Sequence, residues 1–600
     1  MRNKKKIASG VAVALMLTAF ASPAEIMAAE SSAKESQERP NILWIMTEDI
    51  NPRLGCYGDK VAVTPNIDAM AEEGVMYTNA YATAGVCAPS RAAIITGMYQ
   101  QSFGAQNMAT NTDGYDYRTV PDEEIKAFPE ILRENGYYTF TCTKLDYQYS
   151  AFAAKTGPFT IWDNDDAALE LWEGNDSDKP FFGYINMMDT HESQMFREPF
   201  EDLIKPEDVE VPPYMVDSEE TREEIATLYN DIYHMDMKVK EIRDRLEEDG
   251  LADSTIVIFA ADNGGCLAKE KRDLYDTGLH VPFVIYYPEK FRPDDVTPGS
   301  INDNMFSYVD VAPSILSLAG VEAPDYMQGQ VSFGYNTDEP RQYIYAARDR
   351  LDECEDQQRA VRDNRYKYIY NYYPGTSDYL GVEFTLNLKT VQELLAGHEA
   401  GTLNEDQESW FEPRVEEELY DTQEDPYELH NLIDDEAYAE VRERMRNAYQ
   451  EWKAEVRDMS DEMTEQEMIK LFFPDGEQPV TETPSVEVED AGDGNVKVTV
   501  TGNTPGSSLG YKDASETSWN LYTDSITIPK DSNLIFKAVR YGYKESDPVN
   551  LAGEVVEDEN KPAKAGLAAF GDIHFYKGFE AGQENNRDAS SFTQQSAQKN

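Results

Sequence analysis

The sequence predicts an α/β fold: a mixed, mostly parallel sheet sandwiched by helices, then a smaller C-terminal α+β subdomain and an appended β-sandwich. Three observations carry that expectation. Short apolar runs end in acidic turns, amphipathic helical patterns separate them, and the texture changes to alternating strands near residue 485. Residues 41–46 (NILWIM) and 254–260 (STIVIFA) lack the in-out alternation of a half-exposed strand, so each suits a parallel strand covered on both faces. Residues 181–187 form a third such run, and 219–248 carry helical periodicity. Strands alternating with helices make a mostly parallel sheet with helices on both faces. Ligands in such sheets gather beyond the strand carboxyl ends, where Thr47-Glu48-Asp49 and Ala261-Asp262-Asn263-Gly264 stand.

Further along, residues 366–373 and 418–421 read as strands before a helix over 436–457. Pro474, Pro479 and Pro484 make a linker, and VKVTVTG and SITIPKDSNLIFKAV alternate as the strands of a small sandwich do. The organisation expected is a leader over 1–29, an α/β domain over 38–375, a subdomain over 376–475, a fibronectin-III-like β-sandwich over 484–553 and a polar, disordered tail over 554–600.

Six hundred residues exceed what one core serves. Arg2 and Lys4 to Lys6 precede an apolar run, residues 7–20, and small residues at Ala19, Ala21, Ala24 and Ala28 offer cleavage sites. This reads as a secretory signal peptide, too short to span a bilayer. A secreted or periplasmic protein without stable membrane insertion is expected. The formal net charge of −60 makes nucleic acid and anionic membranes poor partners. Five cysteines, at 56, 87, 142, 266 and 354, leave an odd one.

The most informative segment is Cys87-Ala88-Pro89-Ser90-Arg91, followed by Thr96-Gly97. Pro89 stiffens the turn, Ser90 can cap a helix, and Arg91 supplies a fixed cation. The pattern CxPSRxxxxTG is that of the sulfatases, and the chain resembles them over about residues 39–457; ELYDTQEDPYELHNL resembles their C-terminal signature. The resemblance implies an alkaline-phosphatase-like fold. It also implies that a formylglycine-generating maturation enzyme oxidises Cys87 to Cα-formylglycine (3-oxoalanine), whose hydrate is the nucleophile.

On the same resemblance Glu48, Asp49, Asp262 and Asn263, with the modified Cys87, hold a divalent cation. Hard oxygen ligands suit Ca²⁺, with Mg²⁺ as second choice. Arg91 pairs with the hydrate, Lys144 (in GYYTFTCTK) and Lys271 (in KRDLYDTGLHVP) grip the sulfate, and His191 protonates the leaving group. Two positions depart from the family. Glu48 stands where most members have Asp, and Asp146 stands two residues after Lys144, where many have His. Asp146 could act as a base toward the hydrate or support a ligand.

Within the family the texture is nearest to heparan N-sulfatase (sulfamidase) and similar bacterial sulfatases. A sulfated saccharide, as ester or N-sulfate, is the expected substrate, with Arg272, His280, Arg348 and Arg350 as rim residues or surface charges. Two alternatives stand beside this: a phosphonate or phosphodiester hydrolase of the same superfamily, and an inactive, glycan-binding sulfatase-like protein.

Overall fold

The apolar runs pair with one another as buried strands. The computed structural model describes residues 38–108, 110, 117–150, 156–165, 171–175 and 179–560. The signal peptide expected over 1–29 and residues 561–600 of the expected tail lie outside these. One sheet contains β1 (Asn41–Thr47), β2 (Val75–Tyr81), β3 (Tyr138–Thr141), β4 (Phe181–Met187), β5 (Thr255–Ala261), β6 (His280–Tyr286), β7 (Ser300–Asn302) and β8 (Phe306–Ser307). Its order is β3-β4-β1-β5-β6-β2-β7, with β8 also on β2. Every residue of β1, β4 and β5 is buried, which is why these strands read as unbroken apolar runs.

Strands β3, β4, β1 and β5 are mutually parallel. β6 is antiparallel to both β5 and β2, so β2 points the same way as β5. The carboxyl ends of five strands therefore open on one edge of the sheet.

Helices α1 (Pro65–Glu73), α2 (Cys87–Thr96), α3 (Phe128–Glu134) and α4 (Glu219–Glu248) connect these strands. Ser218 caps α4 by accepting from Thr221 N at 3.1 Å, and Glu219 and Glu220 in the first turn complement the helix dipole. Asp236 of α4 accepts the backbone N–H of Asn66 and Ile67 at 3.2 and 2.8 Å. These bonds pin α4 to the start of α1.

A second, antiparallel sheet contains β9 (Ile344–Arg348), β10 (Gln358–Arg362), β11 (Tyr366–Asn371) and β12 (Glu417–Asp421), in the order β12-β11-β10-β9. It runs across residue 375, since β11 pairs with β10 on one side and β12 on the other. Met445, Tyr449 and Trp452 of the helix Ala439–Glu455 pack on its Tyr368 and Leu419. Beyond it, strands between Ser485 and Asn550 form a three-stranded and a four-stranded antiparallel sheet, with Val498, Phe536 and Val549 in the core between them. All five cysteines are free thiols. Among the described residues no helix is long and apolar enough to cross a membrane.

Gly183 of β4 is set by packing: a Cβ there would lie 2.2 Å from Phe140 Cζ and 2.8 Å from Leu43 Cδ1. Gly183→Ala should therefore lower stability by about 1–3 kcal/mol through overpacking, read from the urea midpoint. An unchanged midpoint would contradict this close approach.

Candidate active site

Each of the five aligned strand ends delivers functional side chains to one place. Glu48 and Asp49 leave β1, Asp262 and Asn263 leave β5, His191 and Glu192 follow β4, and Lys144 and Asp146 follow β3. Cys87 opens α2 behind β2, and Lys271 lies in the connection from β5 to β6. Gly85 lets the turn before Cys87 press against that connection. Arg272 N donates to Gly85 O at 2.8 Å, and a Cβ on Gly85 would meet Asp273 O at 2.5 Å.

Charge alternates through the cluster. Arg91, wholly buried, donates to Glu48 Oε1 through Nη2, to Asp262 Oδ2 through Nε at 2.9 Å and to Asn186 Oδ1 through Nη1 at 2.6 Å. Lys144 Nζ lies 2.7 Å from Glu48 Oε2. Lys271 Nζ bridges Asp49 Oδ2 at 2.6 Å and Glu192 Oε1 at 2.9 Å. Arg272 then takes both oxygens of Glu192 at 2.9 Å. Glu48 thus uses its two oxygens on two different cations, which a two-oxygen side chain can do only where it reaches between them.

The donor set fits a hard divalent cation. Carboxylate oxygens of Glu48, Asp49 and Asp262 lie within 4.8 Å of one another, and all three residues are fully buried. Asn263 Nδ2 donates to Asp49 Oδ1 at 3.0 Å, while the buried Asn263 Oδ1 makes no hydrogen bond. Three carboxylates with a carbonyl oxygen left over are chemistry for Ca²⁺ or Mg²⁺. Cys87 and His191 adjoin them, each offering an atom within the same 4.8 Å of Glu48.

Ionisation follows from this setting. Burial pushes the Cys87 thiol up to about 12, against the pull of Lys144 and Lys271, so it stays protonated near neutrality and is a poor nucleophile. Burial and the neighbouring Lys271 lower His191 to about 3. Its Nδ1 accepts from Ser193 N at 3.2 Å, which places the proton of the neutral ring on Nε2. Burial, then the Glu48 carboxylate, raise Asp262 to about 6. Burial alone would raise Asp49, yet the Lys271 ammonium holds it well below the usual carboxylate range. Asp146 is raised by burial; its Oδ2 makes no hydrogen bond and lies 4.0 Å from Lys144 Nζ.

The structure brings together all the expected site residues: Glu48, Asp49, Cys87, Arg91, Lys144, Asp146, His191, Asp262, Asn263 and Lys271. It corrects the rim. Arg348 pairs with Asp273 and Asp356 at 2.8 Å each, Arg350 pairs with Glu465 at 2.7 Å, and both are buried. His280 is bonded to Thr78 O at 2.8 Å and stacked on Tyr81. All three are held by these partners, though Arg348 also lines a cavity with Lys271 and Arg272; Arg272 alone of the four bonds to the cluster. Sequence reasoning missed Glu192 and Asn186. Asn186 Nδ2 donates to the carbonyls of Cys142 and Lys144 at 2.9 and 3.0 Å, tying the loop after β3 to Arg91. A lone amide inside an apolar strand was its signal, since a buried polar group needs partners.

Glu48 joins two buried cations, Arg91 and Lys144, so its removal tests the charge balance. Glu48→Ala should cost about 3–5 kcal/mol by leaving Arg91 and Lys144 short of a buried partner. Glu48→Asp should cost less, as measured by urea unfolding. Equal stability of the alanine variant and the native chain would contradict the balance.

Comparison with known proteins agrees with this geometry. The sulfatase family model matches residues 40–321, and the model for the N-sulphoglucosamine sulphohydrolase C-terminal region matches residues 268–381. The chain is 36% identical to an ulvan-active sulfatase of Formosa agariphila over 564 residues, covering 86% of this chain and 91% of that protein. It is 24% identical to human N-sulphoglucosamine sulphohydrolase, covering 70% of this chain and 90% of that one. A solved structure of a 2-O GAG sulfatase superposes with a TM-score of 0.51 at 17% identity, over 71% of this chain and 94% of the other, a likeness of fold. With these matches over a buried acid cluster behind a CxPSR turn, the chain belongs to the sulfatase family and is a sulfuric ester hydrolase.

Proposed function

We propose that this sulfatase is an exported enzyme that removes sulfate from a glycan, as ester or N-sulfate, with Cys87 converted to formylglycine and a divalent cation held by Glu48, Asp49, Asp262 and Asn263. The observation that carries the reading is the placing of Cys87. It is a buried thiol at the start of α2, beside Lys144, Lys271 and three converging carboxylates. Burial disfavours its thiolate, whereas Lys144 and Lys271 suit an oxyanion at that position. Relatives named for activity on ulvan and on N-sulphoglucosamine favour a saccharide. The charged, then apolar, leader favours a secreted or periplasmic enzyme, matured by a formylglycine-generating enzyme.

The aldehyde hydrate would supply the attacking oxygen, and the cation would supply positive charge beside it. The chain's own residues do the rest. Lys144 and Lys271, already desolvated, neutralise charge on the sulfate oxygens without reorganising. Arg91 holds Glu48 and Asp262 in place. The Nε2–H of His191 can hydrogen-bond the departing oxygen or nitrogen, and the negative charge of a bound sulfate would favour the imidazolium form that protonates it; Ser193 fixes the ring. Asp146, raised by burial and 4.0 Å from Lys144 Nζ, would act as the base toward the hydrate or support a ligand.

Cys87→Ala should lower sulfate release by about a thousandfold or more while the fold persists. Release from a panel of sulfated mono- and oligosaccharides is the measurement, and near-native release would refute the nucleophile. Excess chelator should inactivate, with Ca²⁺ restoring turnover; full activity after prolonged chelation would argue against the cation. Preferred hydrolysis of bis-p-nitrophenyl phosphate would select the phosphodiesterase reading, and tight saccharide binding without turnover would select the inactive one. Asp146→Asn should lower kcat by about a hundredfold with little change in KM if Asp146 is the base. A change confined to KM would assign it to positioning.

A further inference from the structure

The β-sandwich is docked on the stretch of chain that carries Lys144 and Asp146. Two contacts lead there. Arg540 Nη2 donates to Pro121 O, and a Cβ on Gly542 (φ +83°) would lie 2.2 Å from Thr119 O. Thr119 N in turn donates to Gln148 O at 3.1 Å. Next in sequence, Tyr541 stacks on Tyr149 with ring centroids 4.8 Å apart, and Tyr149 packs on Tyr147, the neighbour of Asp146. Tyr541 is itself fixed, since its hydroxyl donates to Glu130 Oε2 of α3 at 2.7 Å. Ser508 of the sandwich takes the other oxygen of Glu130 at 2.5 Å, and Arg133 of α3 reaches Trp519 O at 2.8 Å.

The loop these contacts reach is strained. Thr143, Asp146 and Gln148 have φ of +70°, +59° and +67°, a region that non-glycine residues keep only where the surroundings over-determine them. Asn186 holds the start of the loop through the carbonyls of Cys142 and Lys144. Its far end meets the sandwich at Tyr149, with Tyr147 packed behind that ring.

We propose that the β-sandwich is a buttress of the active-site loop 143–150, with Tyr541 as its positioning residue, rather than a tethered module that only binds glycan. The functional meaning rests on reading Lys144 and Asp146 as active-site groups. The mechanical claim does not. The β-sandwich and the loop belong to one compact unit of the chain, and the buried face between them is polar and aromatic, with each partner named above.

Hydrogen exchange on the full chain tests it without requiring turnover. In Tyr541→Ala, amides of 143–150 should exchange faster by about tenfold or more, while β1 and β5 stay protected. Tyr541→Phe, which keeps the ring stack, should restore protection. Val498→Ala, in the sandwich core away from the interface, should raise exchange in the sandwich alone. Should Tyr541→Ala fail to fold, Tyr541→Leu keeps apolar bulk without the stack and is expected to behave as the alanine variant. Unchanged protection of 143–150 on loss of the ring would overturn the proposal, as would an equal loss of protection in Val498→Ala.

Discussion

Everything at this site depends on balancing charge away from water. Glu48, Asp49, Asp262 and Glu192 face Arg91, Lys144, Lys271 and Arg272 among buried side chains. An uncompensated charge there would cost several kcal/mol, so each acid must be matched by a base, a proton or a cation. Parallel strand ends supply the acids, and the loops between them supply the bases. The fold serves the site chiefly by making those ends converge.

Reactivity follows from the same dryness. Burial raises Cys87 against the pull of Lys144 and Lys271, and burial together with Lys271 lowers His191. The desolvated ammonium groups of Lys144 and Lys271 are preorganised for negative charge. The site's backbone is tense: Asp49, Thr143, Asp146, Gln148, Lys269 and Arg272 all have positive φ. Strain of this kind collects where side-chain direction matters more than stability. Rigid neighbours, including Asn186 and the docked sandwich, keep these residues in place.

Much of this was legible in the sequence, for physical reasons. Strands β1, β4 and β5 are buried on both faces, so they appear as unbroken apolar runs, and the acids that follow must lie at their ends. The CxPSR turn is dense in restricted residues and could be read locally. Other features are set by distant partners and leave no local trace. The antiparallel β6 looks like any apolar strand. Arg348 and Arg350 read as rim residues or surface charges because their acids, Asp273, Asp356 and Glu465, are far away in sequence. Glu48 looked like an irregular substitution until Arg91 and Lys144 appeared on its two oxygens. The sandwich read as an appendage, since nothing in its strands announces the Tyr541–Tyr149 stack.

Residue 87 is proposed to work as an aldehyde in a setting where burial disfavours a thiolate. Mass spectrometry of the tryptic peptide spanning residues 61–91, taken from the protein made in its native host, tests it most directly. The account predicts the formylglycine mass at residue 87 in protein that releases sulfate. Sulfate-releasing protein carrying only the unmodified cysteine would contradict it.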